Sequence, residues 1–338
     1  MKKHTLDMLA KKAGVGVATV DRVLNERGGV SPEMTRKVLL AAQEIGLNRI
    51  LPAAYQQPWQ IEVFLSGNGS FFFKQLAQDF GEIASHLGYR RMTLLRTFTA
   101  ETQPEKLARL IVDSSQKRDG MIVVAHHSPA LYEALAVCKA RGVPVITIVT
   151  DLPDAERLCH VGINQMQAGR TAGLMMGRMV RRAGEVVMVS GRCDYSAHRQ
   201  RIAGFRAVLE QKFPELRLRE VLAGQDQREV ISRLLEENLS DVQNIVGLYN
   251  TGSGNTEVSA ALERHKLLGN CVYITHELYS ITRRLMADDL LALTLDQNAR
   301  MHAQLATDIL LRHLEEGYQP TLYADGKVDF RLITPENA

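Results

Sequence analysis

Several short polar stretches carry the side chains best able to do chemistry. They are Ser66-Gly67-Asn68-Gly69-Ser70-Phe71-Phe72, His126-His127, Thr150-Asp151, Cys193-Asp194-Tyr195, Asn250-Thr251-Gly252, His276-Glu277 and Asp296-Gln297. The mixture is aromatic, amide and carboxylate, with arginines close by in sequence. Planar rings can cover the C–H faces of a polyhydroxylated molecule while the polar groups exchange hydrogen bonds with its hydroxyls. A solvated loop rim would explain many of these residues one at a time; their convergence on one place is what would make a site.

Other chemistries fit less well. Cys138, Cys159, Cys193 and Cys271 are scattered, without a Cys-x-x-Cys pair or flanking His, and read as reduced, buried thiols. His126 and His127 are adjacent rather than spaced along one helix face, so zinc binding is not indicated. Gly67-x-Gly69 follows an apolar run, as in a dinucleotide fold. A third glycine is missing, Phe71–Phe73 crowd the turn, and Tyr89, Arg90 and Arg91 stand where an acid is needed. No P-loop, nucleophile elbow or metal-ligand pair is present in the sequence, so no cofactor and no catalysis are expected.

The elements that must position these stretches follow from the apolar pattern. Ile61–Leu65, Met92–Leu95, Met121–Ala125 and Val145–Val149 are short β-rich runs separated by amphipathic segments. Glu185–Ser190, Leu218–Ala223, Ile245–Tyr249, Val272–Thr275 and Leu291–Leu295 repeat the rhythm. Such alternation predicts parallel sheets covered on both faces. Two series suit two α/β lobes, with a ligand held where strand C-terminal ends converge between them.

The amino-terminal stretch is different. Residues 1–50 hold nine Lys/Arg against five acids, whereas the whole 338-residue chain is only +3, so the remainder is close to neutral. A small basic module on a neutral body is the asymmetry expected of a phosphate-facing head. The spacing predicts three helices. Thr5 can cap the first, from about Leu6 to Ala13, with Leu6, Leu9, Ala10 and Ala13 inward. Gly14-Val15-Gly16 is the turn, and Gly14 can take a positive φ. The second runs from Val17 to about Asn25 with Val20, Val23 and Leu24 inward. The third starts at Ser31-Pro32-Glu33 and uses Val38, Leu39, Ala42 and Ile45. Two short helices about a Gly-containing turn match the helix-turn-helix, whose second helix lies in the major groove.

Ala10-x-x-x-Gly14-Val15-x-x-x-Thr19-Val20-x-Arg22-Val23-Leu24-Asn25, continued by Val30-Ser31-Pro32-Glu33-x-x-Arg36-x-Val38, resembles the signature of the LacI/GalR family of bacterial transcription repressors. The resemblance implies that Thr5, Gly16, Val17, Ala18, Thr19, Asp21, Arg22, Asn25 and Ser31 face operator DNA. Val17 and Ala18 would offer apolar contact to thymine methyls, and Arg22 can reach guanine O6 and N7. Gly16 and Asp21 stand where the family usually has Ser. An acid at position 21 is repelled by phosphate unless it accepts from a cytosine amino group.

Gly46 to Gln60 is a boundary by composition, with Pro52, Pro58 and Gln56-Gln57. Family members place a minor-groove hinge helix there. This chain departs from the usual pattern, leaving Leu51 or Ile50 as a wedge and a plain tether as equal readings. Further on, Gly191-x-x-x-x-Ser196-Ala197-x-Arg199-x-Arg201-x-x-Gly204-Phe205, with Val161-Gly162-Ile163-Asn164 and Ala168-Gly169, is similar to the periplasmic-sugar-binding-protein-like sensor of the same family. By that resemblance Phe71 and Phe72 form an aromatic wall, Arg199 grips hydroxyls, Asn250 and Gln297 supply amides, and Glu277 is an acceptor. Val149 replaces an Asp common in pentose-binding relatives, which points to Asp151; His126 completes the set.

The expected architecture is thus a small all-α helix-turn-helix domain over 1–48, a linker or hinge over 49–60, and a two-lobed, type I periplasmic-binding-protein-like α/β domain with parallel sheets over 61–338. The resemblance implies a homodimeric, cytoplasmic regulator whose partners are operator DNA and a small sugar or polyol effector, with no membrane. A non-regulatory sugar-binding protein and a nucleotide-dependent enzyme on a similar fold are the alternatives. No stretch is apolar enough to span a bilayer, and Asp7, Lys11 and Lys12 interrupt what a secretory signal would need.

Overall fold

The computed structural model describes residues 3–25, 27, 29–45, 58–88, 91–239 and 244–338. The expected hinge at 49–60, with Ile50 and Leu51, lies almost wholly outside them. The chain divides into two compact units, Met1–Trp59 with Ala84–Thr93, and Gln60–Ile83 with Leu94–Ala338.

In the first unit α1 (Lys3–Ala13), α2 (Val17–Leu24) and α3 (Pro32–Glu44) enclose one small core of Leu9, Ala10, Val20, Val23, Leu24, Val38, Ala41 and Ala42. These are the inward positions that 3.6-residue spacing selects. Gly14 turns the chain at φ +66°, and the Val15 N–H closes on Ala10 O at 3.0 Å. Ser31 Oγ accepts from Met34 N at 3.3 Å, capping α3 just before its Pro32. One boundary differs from expectation. α1 begins at Lys3, because neither Lys3 nor His4 breaks a helix, so Thr5 sits within the helix instead of capping it. Its side chain lies outside what is described.

The second unit alternates strands and helices. The first series is β1 (Trp59–Ser66), α4 (Phe71–Leu87), β2 (Met92–Thr99), α5 (Pro104–Ser114), β3 (Gly120–Val123), α6 (Pro129–Ala140), β4 (Val145–Ile148) and β5 (Cys159–Ile163). The second is α7 (Gln165–Met179), β6 (Gly184–Ser190), α8 (Ser196–Lys212), β7 (Leu216–Leu218), β8 (Leu222–Ala223), α9 (Arg228–Asn238), β9 (Ile245–Asn250), α10 (Asn255–Arg264), β10 (Val272–His276), α11 (Ser280–Ala287) and β11 (Leu293–Asp296). Then α12 (Ala299–Glu316) and β12 (Lys327–Val328) return to the first series, and β13 (Arg331–Ile333) to the second.

One sheet has the order β12-β5-β4-β3-β1-β2; the other runs β13-β11-β10-β9-β6-β7, with β8 also on β6. Pairings within β12-β5-β4-β3-β1 and β11-β10-β9-β6-β7 are parallel, and β13 closes antiparallel on β11. The two-lobed, parallel α/β architecture is therefore as expected. β5 is a strand the apolar pattern had not marked, and the expected Leu218–Ala223 run is two short strands.

Three connections cross between the lobes, after β5, β11 and β12. α12 packs on β3, β4 and β5 of the first lobe, whereas α7 packs on α8 and β10 of the second. Among the described residues no helix is long and apolar enough to cross a membrane, and no group of three His, Cys, Asp or Glu could hold a metal. Cys138 and Cys159 are buried thiols, but Cys193 is exposed, contrary to expectation, because its loop lies at the surface ahead of α8.

Candidate functional site

Strand C-terminal ends of both lobes open onto one cleft. The first lobe contributes the turn after β1. Asn68 Oδ1 accepts from Ser70 N at 2.7 Å, a side-chain-closed turn that starts α4 and delivers Phe71, Phe72 and Phe73. The second lobe answers with Tyr279, the N-cap of α11, whose ring stacks on Phe71 at 4.9 Å and 11°. Phe72 is buried edge-on against His302. A second bridge joins the lobes where Tyr195 Oη donates to Glu101 Oε1 at 2.6 Å. Burial and the neighbouring Glu101 carboxylate hold that phenol well above its ordinary range, so it is a neutral donor. The lobes are closed on each other along these contacts.

The floor is a polar network around Arg201, which is only 3% exposed. Its Nε donates to Gln165 Oε1 (2.7 Å), Nη1 to Thr251 O (2.6 Å) and Nη2 to Gln297 Oε1 (2.5 Å). No carboxylate lies within ion-pair distance of it among the described residues. Gln297 Nε2 in turn donates to Glu277 Oε1 at 2.6 Å. Desolvation, with the nearby Asp296 carboxylate adding to it, pushes the Glu277 carboxyl up to about 8. At neutral pH it is therefore mainly a neutral acid that can donate as well as accept.

Beside this floor His198 Nδ1 meets Thr251 Oγ1 at 3.0 Å, and burial lowers the imidazole to about 4, leaving it neutral. Asp226 accepts from Arg192 N, Ser253 N and Ser253 Oγ; burial pushes its carboxyl up, but His198 and these donors outweigh that and bring it below its usual range. Val149 and Glu277 take left-handed backbone at φ +73° and +69° where they face the cleft. Such strain is uncommon for a β-branched residue and collects at functional sites.

Of the positions expected to touch a ligand, Phe71, Phe72, Glu277 and Gln297 line the cleft. The others are employed differently. Arg199 is exposed and donates to Cys193 O. α8 starts at Ser196, so Ala197, His198 and Arg201 share the cleft face and Arg199 points elsewhere. Asp151 accepts from Arg157 Nη2 and Thr147 Oγ1, both at 2.7 Å, and leaves the cleft surface to Val149 and Thr150. Asn250 is buried behind the floor, where its amide holds Ser253 O and Asn255 Oδ1, and Asn255 lines the cleft in its place. His126 packs edge-on behind Tyr195 at 5.8 Å. Arg201, His198, Asp226 and Tyr279 were missed. Arg201 was visible within the quoted motif, one helical turn beyond Ala197.

In the first unit, Gly16, Val17, Ala18, Arg22 and Asn25 of the α2 surface are exposed, Thr19 is half-buried, and Ser31 is occupied as the cap of α3. Asp21 accepts from Asn25 Nδ2 at 2.7 Å and from Arg27 Nη1 at 2.8 Å, one bond on each carboxylate oxygen. Arg27 cancels the charge that would repel phosphate.

Comparison with known proteins agrees with both units. The chain is similar to the HTH-type transcriptional regulator DegA of Bacillus subtilis, 25% identical over 220 residues that cover 62% of this chain and 61% of that protein. It is also similar to the ribose operon repressor of Halalkalibacterium halodurans, 28% identical over 62% of this chain and 60% of that one. The matched region thus spans about three fifths of the length of these two relatives. Among solved structures, a solute-binding protein from Burkholderia graminis in complex with D-arabinose superposes with a TM-score of 0.76 at 20% identity, covering 83% of this chain and 97% of that one. Residues 61–319 match the periplasmic binding protein domain, and residues 5–48 match the bacterial regulatory proteins of the lacI family. The chain therefore belongs to the periplasmic binding protein domain family over 61–319 and carries ahead of it a helix-turn-helix domain of the bacterial regulatory proteins, lacI family.

Proposed function

We propose that this protein is a transcriptional repressor whose grip on operator DNA is set by a small sugar or polyol held between its two α/β lobes. The observation that carries the ligand half is the pairing of an aromatic wall, Phe71 on Tyr279, with the Arg201–Gln297–Glu277 floor. Rings cover the apolar faces of a polyhydroxylated molecule, while a guanidinium with unused donors and a carboxyl group take its hydroxyls. The exposed Val17, Ala18 and Arg22 of α2 support the DNA half. The names of the two relatives, a transcriptional regulator and a ribose operon repressor, point the same way.

In this reading residues 1–48 contact DNA, 49–60 link, and 61–338 sense the effector and dimerise. One small head touches too few bases for useful selectivity, so a two-fold operator and a homodimer are required. The protein acts in the cytoplasm, beside DNA, and catalyses nothing. Its test is a thermal-shift screen of sugars, polyols and their phosphates, followed by operator binding with each hit. A neutral sugar or polyol that raises Tm and alters DNA affinity supports the proposal; no hit across that class contradicts it.

A further inference from the structure

We infer that Arg27 binds a backbone phosphate of the DNA and that Asp21 is the positioning residue that holds it ready, an assignment that rests on the reading that α2 enters operator DNA. Arg27 lies beyond the end of α2 and is not among the positions expected to face DNA. Two bonds fix it. Its backbone N–H donates to Arg22 O at 3.0 Å, the six-to-one closure that ends many helices, so the chain turns back along α2. Its Nη1 donates to Asp21 Oδ2 at 2.8 Å, while Asn25 Nδ2 occupies Oδ1 at 2.7 Å. One carboxylate thus gathers the side chain a turn below it and the first arginine after the helix.

Placement and charge both turn this pair toward DNA. Ala18, Asp21 and Arg22 of α2 line one open depression together with Arg27 and Gly29. Ala18 and Arg22 are one turn apart on the face that meets base edges when a recognition helix lies in the major groove. Gly29 takes φ +72°, and a Cβ there would stand 3.8 Å from Arg22 Nη1, so the returning chain runs beside that guanidinium. Arg27 therefore flanks the reading face, where a side chain bent back along the helix meets the backbone that borders the groove. The side chains of Arg27 and Asp21 are 65% and 35% exposed, and an ion pair that open to water adds little to folding. A guanidinium has five N–H donors, and Asp21 takes one of those on Arg27. The rest can meet phosphate oxygens, whose geometry the planar fork matches. Arg22 and Arg27 outweigh Asp21 by one charge, so an acid that would repel phosphate by itself becomes part of a cationic surface.

The test is a double-mutant cycle in the full chain. Binding is measured over a range of salt on a duplex selected from random DNA by the wild type and on a scrambled duplex of the same length. Losing one phosphate contact lowers the steepness of log K against log salt by about 0.9 per head, which at about 0.15 M salt is an affinity loss of about fivefold per head. Arg27→Ala should show both effects, equally on the two duplexes, with Tm unchanged. Arg27→Lys keeps the charge and should restore the slope. Asp21→Ala is the diagnostic arm. In the Arg27→Ala chain it removes an unpaired acid and should tighten binding; in the wild-type chain it also removes the anchor of Arg27, and binding should not tighten.

Should Asp21→Ala not fold, Asp21→Ser, too short to reach Arg27, carries the same expectation. Unchanged affinity and salt slope in Arg27→Ala overturn the role of Arg27. A loss confined to the selected duplex does the same, because a base reader and not a phosphate contact would produce it. An Asp21→Ala effect of the same sign and size in both backgrounds overturns the positioning role of Asp21. A wild-type chain that binds neither duplex overturns the DNA reading and this inference with it, whereas a wild type that binds while Arg27→Ala matches it overturns this inference alone.

Discussion

Gly169→Ala adds one methyl group at the point where α7 and α8 touch. The new Cβ would stand 2.1 Å from Arg201 O, 2.7 Å from its Cα and 2.8 Å from its carbonyl carbon. An ordinary carbon–oxygen contact needs about 3.3 Å, so the helices must part by about 1 Å. The obstacle is backbone, which has no rotamer to retreat into. Gly204 and Gly173 repeat the arrangement, with built Cβ atoms 2.3 Å from Met166 O and 2.9 Å from Phe205 O, so the helices cannot pivot about a neighbouring contact. Overpacking costs about 1–3 kcal/mol, and a backbone clash belongs at the upper end. Alanine's better helix propensity returns up to about 1 kcal/mol, leaving a net loss of about 2 kcal/mol. Gly69→Ala is the control, since its Cβ would meet only Lys74 Nζ at 3.9 Å; a change within about 0.5 kcal/mol is expected there. Equilibrium urea unfolding followed by circular dichroism reads both. A Gly169→Ala midpoint indistinguishable from that of Gly69→Ala would refute the close-packed account of α7 and α8.

Glu277→Gln keeps the acceptor for Gln297 and removes the ionisation. The Glu277 carboxyl holds its proton up to about pH 8 when folded and loses it near 4.3 when unfolded. Across that window the folded state binds more protons, so wild-type stability falls as pH rises. The variant should match wild type near pH 4 and melt progressively higher than it toward pH 8; a constant Tm difference across the range would contradict this. Arg22→Ala removes an exposed side chain of α2. Specific operator affinity should drop by about 1–3 kcal/mol with sugar affinity and Tm unchanged, and equal losses in gel shift and calorimetry would reject the division of labour. Tyr195→Phe deletes the hydrogen bond to Glu101 that spans the lobes. Bonds to charged groups are worth about 1.5–3 kcal/mol, so small-angle scattering should show a larger radius of gyration, and an unchanged profile would deny that contact a role in closure.

Much of this arrangement was legible in the sequence, and the misses have physical causes. Apolar residues at helical spacing marked the core of the three-helix head, because Leu9, Val20, Leu24 and Val38 have no other place to be buried. In the body, compact apolar runs marked β1, β3, β4, β6, β9, β10 and β11. They did not mark β5, where His160 and Gly162 interrupt the run, nor β12 and β13, whose two or three residues pair only because the chain returns across the lobes. Glu277 and Gln297 were legible as cleft residues because they directly follow β10 and β11, and Phe71 and Phe72 because they open α4 after the turn that leaves β1. Arg199 and Arg201 could not be told apart without the start of α8, on which the facing of every later residue depends. Asp151 and Asp21 are taken up by Arg157 and Arg27, partners that emerge only with the folded loops.

The central claim is that a molecule in the cleft alters the hold of the head on DNA. Fluorescence anisotropy of a labelled operator, selected from random DNA by the full chain, measures it directly with and without the best sugar or polyol from the thermal screen. The account predicts a shift in operator Kd of about fivefold or more, abolished by Arg201→Ala in the floor of the cleft. An operator Kd that is the same whether or not the cleft is filled would contradict it.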